Sequence, residues 1–149
     1  MRKRIIDMLV KIKKLDENAV TPSYGSNSAA GADLYNYKED VEISPAETVF
    51  VGTGICVEIP DGYVGLVFAR SGLSCKQGVA PANKVGVIDS DYRGEIKVAL
   101  YNHSCNTVVI KKGERIAQLV ITPYLRADFC EAELSDTTRG AGGFGSTGK

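Results

Sequence analysis

The chain has 149 residues, enough for one domain around one sizeable core. Hydrophobic residues make up 44% and charged residues 24%, an ordinary globular composition. Eighteen Lys and Arg balance eighteen Asp and Glu. That balance excludes bulk electrostatic binding to nucleic acid or to an anionic membrane surface. Any phosphate recognition has to be local, through a few placed arginines, backbone N–H groups or a metal.

The first segment, M-R-K-R-I-I-D-M-L-V, begins basic and then apolar. Asp7 and Lys11 interrupt the apolar stretch and no small-residue cleavage site follows, so it does not read as a signal peptide. Residues 1–8 read as a solvated basic extension leading into a strand over Leu9 to Leu15, L-V-K-I-K-K-L. Further β-branched and aromatic runs of strand length follow at Thr48–Ile59, Tyr63–Ala69, Glu95–Tyr101, Thr107–Ile110, Arg115–Thr122 and Phe129–Leu134. Turn signals stand between them at Ser44-Pro45, Pro60-Asp61-Gly62 and Lys112-Gly113. The best helical stretch is short, Ser71–Gln77. Many short strands with regular turns predict an all-β fold, a sandwich, barrel or jelly roll. Residues 1–136 are expected to form it.

Residues 137–149, T-T-R-G-A-G-G-F-G-S-T-G-K, have one large apolar side chain, Phe144. Such a segment buries too little surface to offset its ordering entropy. It is expected to be a flexible arm unless a ligand or a neighbouring subunit holds it.

No apolar run is long enough to span a bilayer. Cys56, Cys75, Cys105 and Cys130 lie far apart in sequence, and His103 is the single histidine. The spacing does not fit a zinc site. The cysteines read as reduced thiols filling the core, in a cytoplasmic protein, or a nuclear or host-intracellular one in a eukaryote or virus.

Two patterns in the arm fail on context. Gly140, Gly142 and Gly145 fit G-x-G-x-x-G, but an acidic, polar stretch precedes them and four residues follow, which does not suit the strand and helix of a βαβ unit. Gly143 to Lys149 matches the first seven positions of a P-loop without the Ser or Thr that binds magnesium. A Ser-His-Asp site would depend on His103, which sits at the end of a predicted strand, and there is no G-x-S-x-G elbow. Acid–base chemistry therefore falls to carboxylates, which suit a base that activates water.

Five polar or glycine-rich segments stand beside strands: A-G-A-D-L (30–34), A-R-S-G-L-S (69–74), G-V-I-D-S-D-Y-R-G (86–94), G-E-R-I-A-Q-L (113–119) and R-G-A-G-G-F-G-S-T-G (139–148). Alone, I-D-S-D reads as a turn capped by a carboxylate. Together and in this order, the five resemble the motifs of the trimeric dUTPases, which convert dUTP to dUMP and pyrophosphate. Departures are small: Ala32, Ala69 and Ala141 stand where that family often has a larger residue, a Pro and an acid.

The resemblance implies roles. Asp89 matches the carboxylate that activates water at the α-phosphorus. Tyr92 matches the ring that packs under the deoxyribose and leaves no room for a 2′-hydroxyl. Asn83, with backbone groups around Gly86, Val87, Ile88 and Lys97, matches the reader of uracil. Arg70, Ser71 and Gly72 match the phosphate-binding segment. Asp33 and Gln118 match positions that hold a Mg²⁺ shell through water or orient nearby groups; Asp33 equally suits an ion pair with Arg70. Arg139, Phe144, Gly145, Ser146 and Thr147 match the closing arm, with Phe144 stacked on the base.

The resemblance also implies a jelly-roll-like barrel, a homotrimer with sites at subunit interfaces, and a role in keeping uracil out of DNA while supplying dUMP for dTMP synthesis. Nucleic-acid and membrane partners are not expected. Two other readings share the fold: a dCTP deaminase-type enzyme, against which the intact I-D-S-D-Y and glycine-rich arm speak, and a nucleotide-sensing module without turnover. A purely structural shell protein would leave the polar segments without a purpose.

Overall fold

The computed structural model describes residues 8–145. Ser146, Thr147 and the basic cluster Arg2–Arg4 lie outside them. Eleven strands and one helix make up the regular structure of the described residues. In chain order the strands are β1 (Lys11–Lys14), β2 (Ser23–Tyr24), β3 (Ala32–Tyr35), β4 (Val41–Ile43), β5 (Thr48–Glu58) and β6 (Tyr63–Phe68). The helix α1 (Ser71–Gln77) follows, then β7 (Val79–Pro81), β8 (Gly86–Ile88), β9 (Glu95–Asn102), β10 (Val108–Ile110) and β11 (Arg115–Pro123).

The strands pair antiparallel in three groups: β1-β5-β9-β7, β2-β3-β11-β6-β8, and the pair β10-β4. One apolar core lies between them. In β9 the inward residues are Ile96, Val98 and Leu100, each alternating with a more exposed neighbour, as a half-buried strand requires. Ile43, Ile55, Ile110 and Ile116 are fully buried against them. The expected all-β, jelly-roll-like architecture is what the chain adopts.

The turns form where the glycines predict. The Tyr63 N–H donates to the Pro60 carbonyl at 3.2 Å, and Gly62 has φ 82°. That left-handed conformation costs glycine nothing. Helix α1 ends the same way: Gly78 at φ 71° donates its N–H to the carbonyls of Leu73 and Ser74. Buried polar groups are satisfied. The Asn36 amide donates to the carbonyls of Glu39 and Lys111, and the Asn102 amide donates to those of Ile43 and Asn106.

Three expectations are corrected. Phe129–Leu134 is not a strand; Phe129 is 97% exposed and Leu134 is 93% exposed. The run has strand-like composition, but it pairs with no strand among the described residues, and an unpaired run is not a strand. The alternation over Leu9–Leu15 yields only the four residues of β1, all exposed, because β1 is an edge strand paired with β5 alone. Of the four cysteines only Cys56 fills the core; Cys75, Cys105 and Cys130 are exposed thiols.

Candidate active site

The antiparallel pairing of β6 with its neighbours decides which site residues meet. Strand β8 runs beside β6 with Val67 opposite Gly86 and Gly65 opposite Ile88. Asp89 therefore follows on beside Val64, at the start of β6. Strand β11 runs along the other side, with Gln118 opposite Phe68, and β3 places Asp33 opposite Gln118. Asp33, Gln118 and Arg70 thus gather at the end of β6. Val64 and Phe68 are four strand residues apart, roughly 13 Å. Asp89 and the group of Asp33, Gln118 and Arg70 thus lie towards opposite ends of one strand.

The first group is the hairpin formed by β8, the turn and β9. The Tyr92 N–H donates to the Asp89 carbonyl at 3.1 Å, closing the turn. Asp89 is exposed at its tip, and its carboxylate has no hydrogen bond or ion pair with another described residue. The Tyr92 hydroxyl donates to the Glu95 carbonyl at 3.0 Å. Gly94 permits this: a Cβ there would come within 2.6 Å of Tyr92 Cζ. Asn83 lies beside Gly86, where an added Cβ would stand 3.5 Å from Asn83 Nδ2 and 3.2 Å from Val67 Cβ. A groove of about 330 Å³ opens at the hairpin, lined by Val87, Ile88, Asp89, Tyr92, Lys97 and Phe50 of β5. A second groove of about 810 Å³ shares Val87 and Asp89 and continues past Leu66 to Tyr124 and Arg126.

The second group is charged and centred on a buried carboxylate. Arg70 precedes α1 in extended conformation and donates from Nε to Asp33 Oδ1 at 2.8 Å. Arg115 Nη1 reaches the other oxygen, Asp33 Oδ2, at 3.4 Å. Asp33 is buried, and one carboxylate faces two guanidinium groups. The group therefore keeps a net positive charge. The Gln118 amide donates to the Ala69 carbonyl at 2.9 Å. Gly31 gives that side chain its space, since a Cβ there would stand 3.1 Å from both Cβ and Cδ of Gln118. Ser71 and Gly72 are exposed at the start of α1, and a Cβ on Gly72 would meet nothing within 4 Å.

Of the two roles open to Asp33 and Gln118, the geometry favours positioning over metal binding. Both Asp33 oxygens face arginines, and the amide nitrogen of Gln118 holds the backbone at Ala69. Among the described residues no three His, Cys, Asp or Glu side chains cluster as metal ligands.

The described part of the arm, 137–145, joins neither group. The Arg139 Nε donates to the carbonyl of Gly142 at 3.1 Å, and the Gly140 N–H donates to the Thr137 carbonyl at 3.1 Å, so its hydrogen bonds are internal. Phe144 is fully exposed at φ 51°, next to Gly145 at φ 90°.

Arg115 and Glu95 were not singled out from sequence as site residues. Both lie inside or beside motif segments. Their importance depends on strand register, which the sequence does not display.

Fold and site define a jelly-roll-like barrel with an exposed carboxylate on one hairpin and a buried carboxylate shared by Arg70, before a short helix, and Arg115 of β11. A family model described as dUTPase matches residues 17–148. The deoxyuridine 5′-triphosphate nucleotidohydrolase of Nautilia profundicola is 55% identical, over 95% of this chain and 100% of that protein. A variant of the Staphylococcus bacteriophage 80alpha dUTPase with dUpNHpp superposes with TM-score 0.84 at 31% identity, covering 95% of this chain and 99% of that one. A variant dUTPase from phage phi11 of S. aureus, described with a structural Mg(II) ion, gives TM-score 0.77 at 27% identity over 85% of this chain and 98% of that one. The chain belongs to the dUTPase family.

Proposed function

We propose that this protein hydrolyses dUTP to dUMP and diphosphate by in-line attack of water on the α-phosphorus. The observation that carries the reading is the hairpin: an exposed carboxylate without a partner among the described residues, Asp89, beside an aromatic ring fixed by its own hydroxyl, Tyr92, over a groove of nucleoside size. Asp89 orients and deprotonates the water. Tyr92 excludes a 2′-hydroxyl by volume. Asn83 and the β8–β9 backbone read the base, and Phe144 covers it.

Arg70 keeps its terminal nitrogens for phosphate because Nε alone is spent on Asp33. Arg70, Ser71 and Arg139 stabilise charge on the phosphates and on the leaving diphosphate. The residues do not fit a protein-held metal, so Mg²⁺ enters as part of the substrate, bound to the triphosphate with most of its own water.

The separation of Asp89 from Arg70 along β6 supports sites shared between copies. Both groups are expected to act on one triphosphate, and a single chain holds them at opposite ends of a strand. The exposed Leu125, Phe129 and Leu134 add an apolar segment with nothing beside it in one chain. A homotrimer with sites at its interfaces answers both, with the arm of one subunit closing a site built by others. The protein is proposed to work inside the cell, where its exposed thiols stay reduced and dUMP is consumed to make dTMP.

The test is release of pyrophosphate and of ammonia from dUTP, dTTP, UTP and dCTP, with and without Mg²⁺. Pyrophosphate from dUTP alone is expected. Ammonia from dCTP would overturn the reading in favour of a deaminase, and UTP turnover equal to dUTP would remove the sugar gate.

A further inference from the structure

Strands β5 and β9 fall out of step beside the hairpin. Gly52 pairs with Lys97, but the next pair is Cys56 with Glu95. Four steps on β5 match two on β9, so Thr53 and Gly54 bulge out of the ladder and their backbone groups need other partners. The Thr53 hydroxyl takes one place, donating to the Ile96 carbonyl at 2.7 Å. The Glu95 carboxylate takes the other, with Oε1 accepting the Gly54 N–H at 2.9 Å. Its side chain is only 17% exposed, and its second oxygen is 3.8 Å from Lys97 Nζ. Gly52 gives the carboxylate its seat, because a Cβ at Gly52 would stand 3.3 Å from Glu95 Cδ and closer still to Oε1.

The same residue holds the sugar gate from its other side. The Glu95 carbonyl accepts the Tyr92 hydroxyl. Where Tyr92 sits therefore depends on where the backbone of residue 95 sits, and the Glu95 side chain ties that backbone to β5. We infer that Glu95 is a positioning residue for dUTP-over-UTP discrimination, acting through Tyr92 by locking the hairpin to the bulge at Gly52–Gly54. The inference rests on the reading of Tyr92 as the gate. A ring excludes a hydroxyl only if it cannot retreat, and a groove wall that yields loses selectivity before it loses binding.

Three substitutions test it. Glu95→Ala removes the acceptor. Gly52→Ala leaves Glu95 in place but pushes its carboxylate off the bulge, so it reports even if the first variant folds poorly. Glu95→Gln keeps an oxygen for the Gly54 N–H and loses only the long, 3.8 Å contact to the exposed Lys97 ammonium, which contributes little. The ratio of kcat/KM for dUTP over UTP should fall about tenfold in the first two, through KM for UTP, and stay near native in Glu95→Gln. Amide hydrogen exchange at Gly54 and across 86–97 should quicken in the same two variants and not in the third. A retained ratio in Glu95→Ala and Gly52→Ala overturns the inference, as does unchanged exchange. If the unsubstituted protein turns over neither nucleotide, the proposed function fails instead, and exchange alone then decides whether Glu95 locks the hairpin.

Discussion

Strand β6 ends in two carboxylate neighbourhoods built on opposite plans. At one end Asp33 is buried and shared by Arg70 and Arg115. At the other Asp89 stands exposed on a turn, with only its backbone carbonyl engaged among the described residues. A carboxylate between two guanidinium groups is fixed and charge-compensated, so it holds other groups in place and has both oxygens engaged. A carboxylate held only through its backbone stays available to water. The contrast separates positioning from chemistry without any appeal to sequence motifs.

The sharpest way to break that contrast is to neutralise the free member. Asp89→Asn is expected to lower kcat by about 10²- to 10⁴-fold, the usual share of a general base. Affinity for a non-hydrolysable dUTP analogue, measured by calorimetry, should stay near native. Undiminished turnover would place the base elsewhere.

Removing the paired member should do the reverse. Asp33→Ala leaves two arginines without their shared anion, and breaking a largely buried pair costs about 3 kcal/mol of stability. Denaturant titration should show it as a lower midpoint. Turnover under folding conditions should suffer mainly in KM, because Arg70 loses its orientation but Asp89 is untouched. A fall in kcat equal to that of Asp89→Asn would mean that Asp33 takes part in the chemistry.

The two neighbourhoods were not equally legible in the sequence. The long strands β5, β6, β9 and β11 announce themselves by β-branched runs, and α1 by its position before Gly78. Strands β2, β3, β4, β7 and β8 are two to four residues long, too short for a period to show. Phe129–Leu134 misleads because strand composition says nothing about a partner edge. The motifs named Asp89, Tyr92 and Arg70 through resemblance. The ion pair from Asp33 to Arg115, the bulge under Glu95 and the placing of the two groups at opposite ends of β6 all follow from register. Register is set by packing across the core and leaves no mark in any one segment.

The arm extends the contrast to a region that the barrel does not hold. Deleting residues 139–149 should cut dUTP turnover by about 10²-fold, as expected when a positioning element is lost. The melting temperature should not move, since the hydrogen bonds of the described part of the arm are internal and Phe144 is fully exposed. An equal loss of thermal stability would make the arm structural.

The smallest effect comes from an ion pair that resembles the Asp33 pair in chemistry and differs in exposure. Lys111 Nζ stands 2.8 Å from Asp40 Oδ2, and the Lys112 N–H donates to Asp40 Oδ1 at 2.9 Å. The hydrogen bond from Lys111, then that from Lys112, holds the Asp40 carboxyl below its ordinary range, and the same Asp40 contact raises Lys111. A lowered carboxylate contributes stability that is present above its unfolded value and lost as pH falls through the folded one. A raised lysine contributes stability that is lost as pH climbs through its folded value. The pair therefore acts only between the acid and alkaline limits. Asp40→Asn is expected to lower Tm near neutral pH by about 1 °C, given how little exposed pairs contribute. That difference should vanish in acid below the carboxylate range and in about 1 M salt, where charges are screened within a few ångströms. The loss in Asp33→Ala should survive the same salt, because its carboxylate is buried. If salt erased both equally, burial would not be what distinguishes the Asp33 pair from the Asp40 pair.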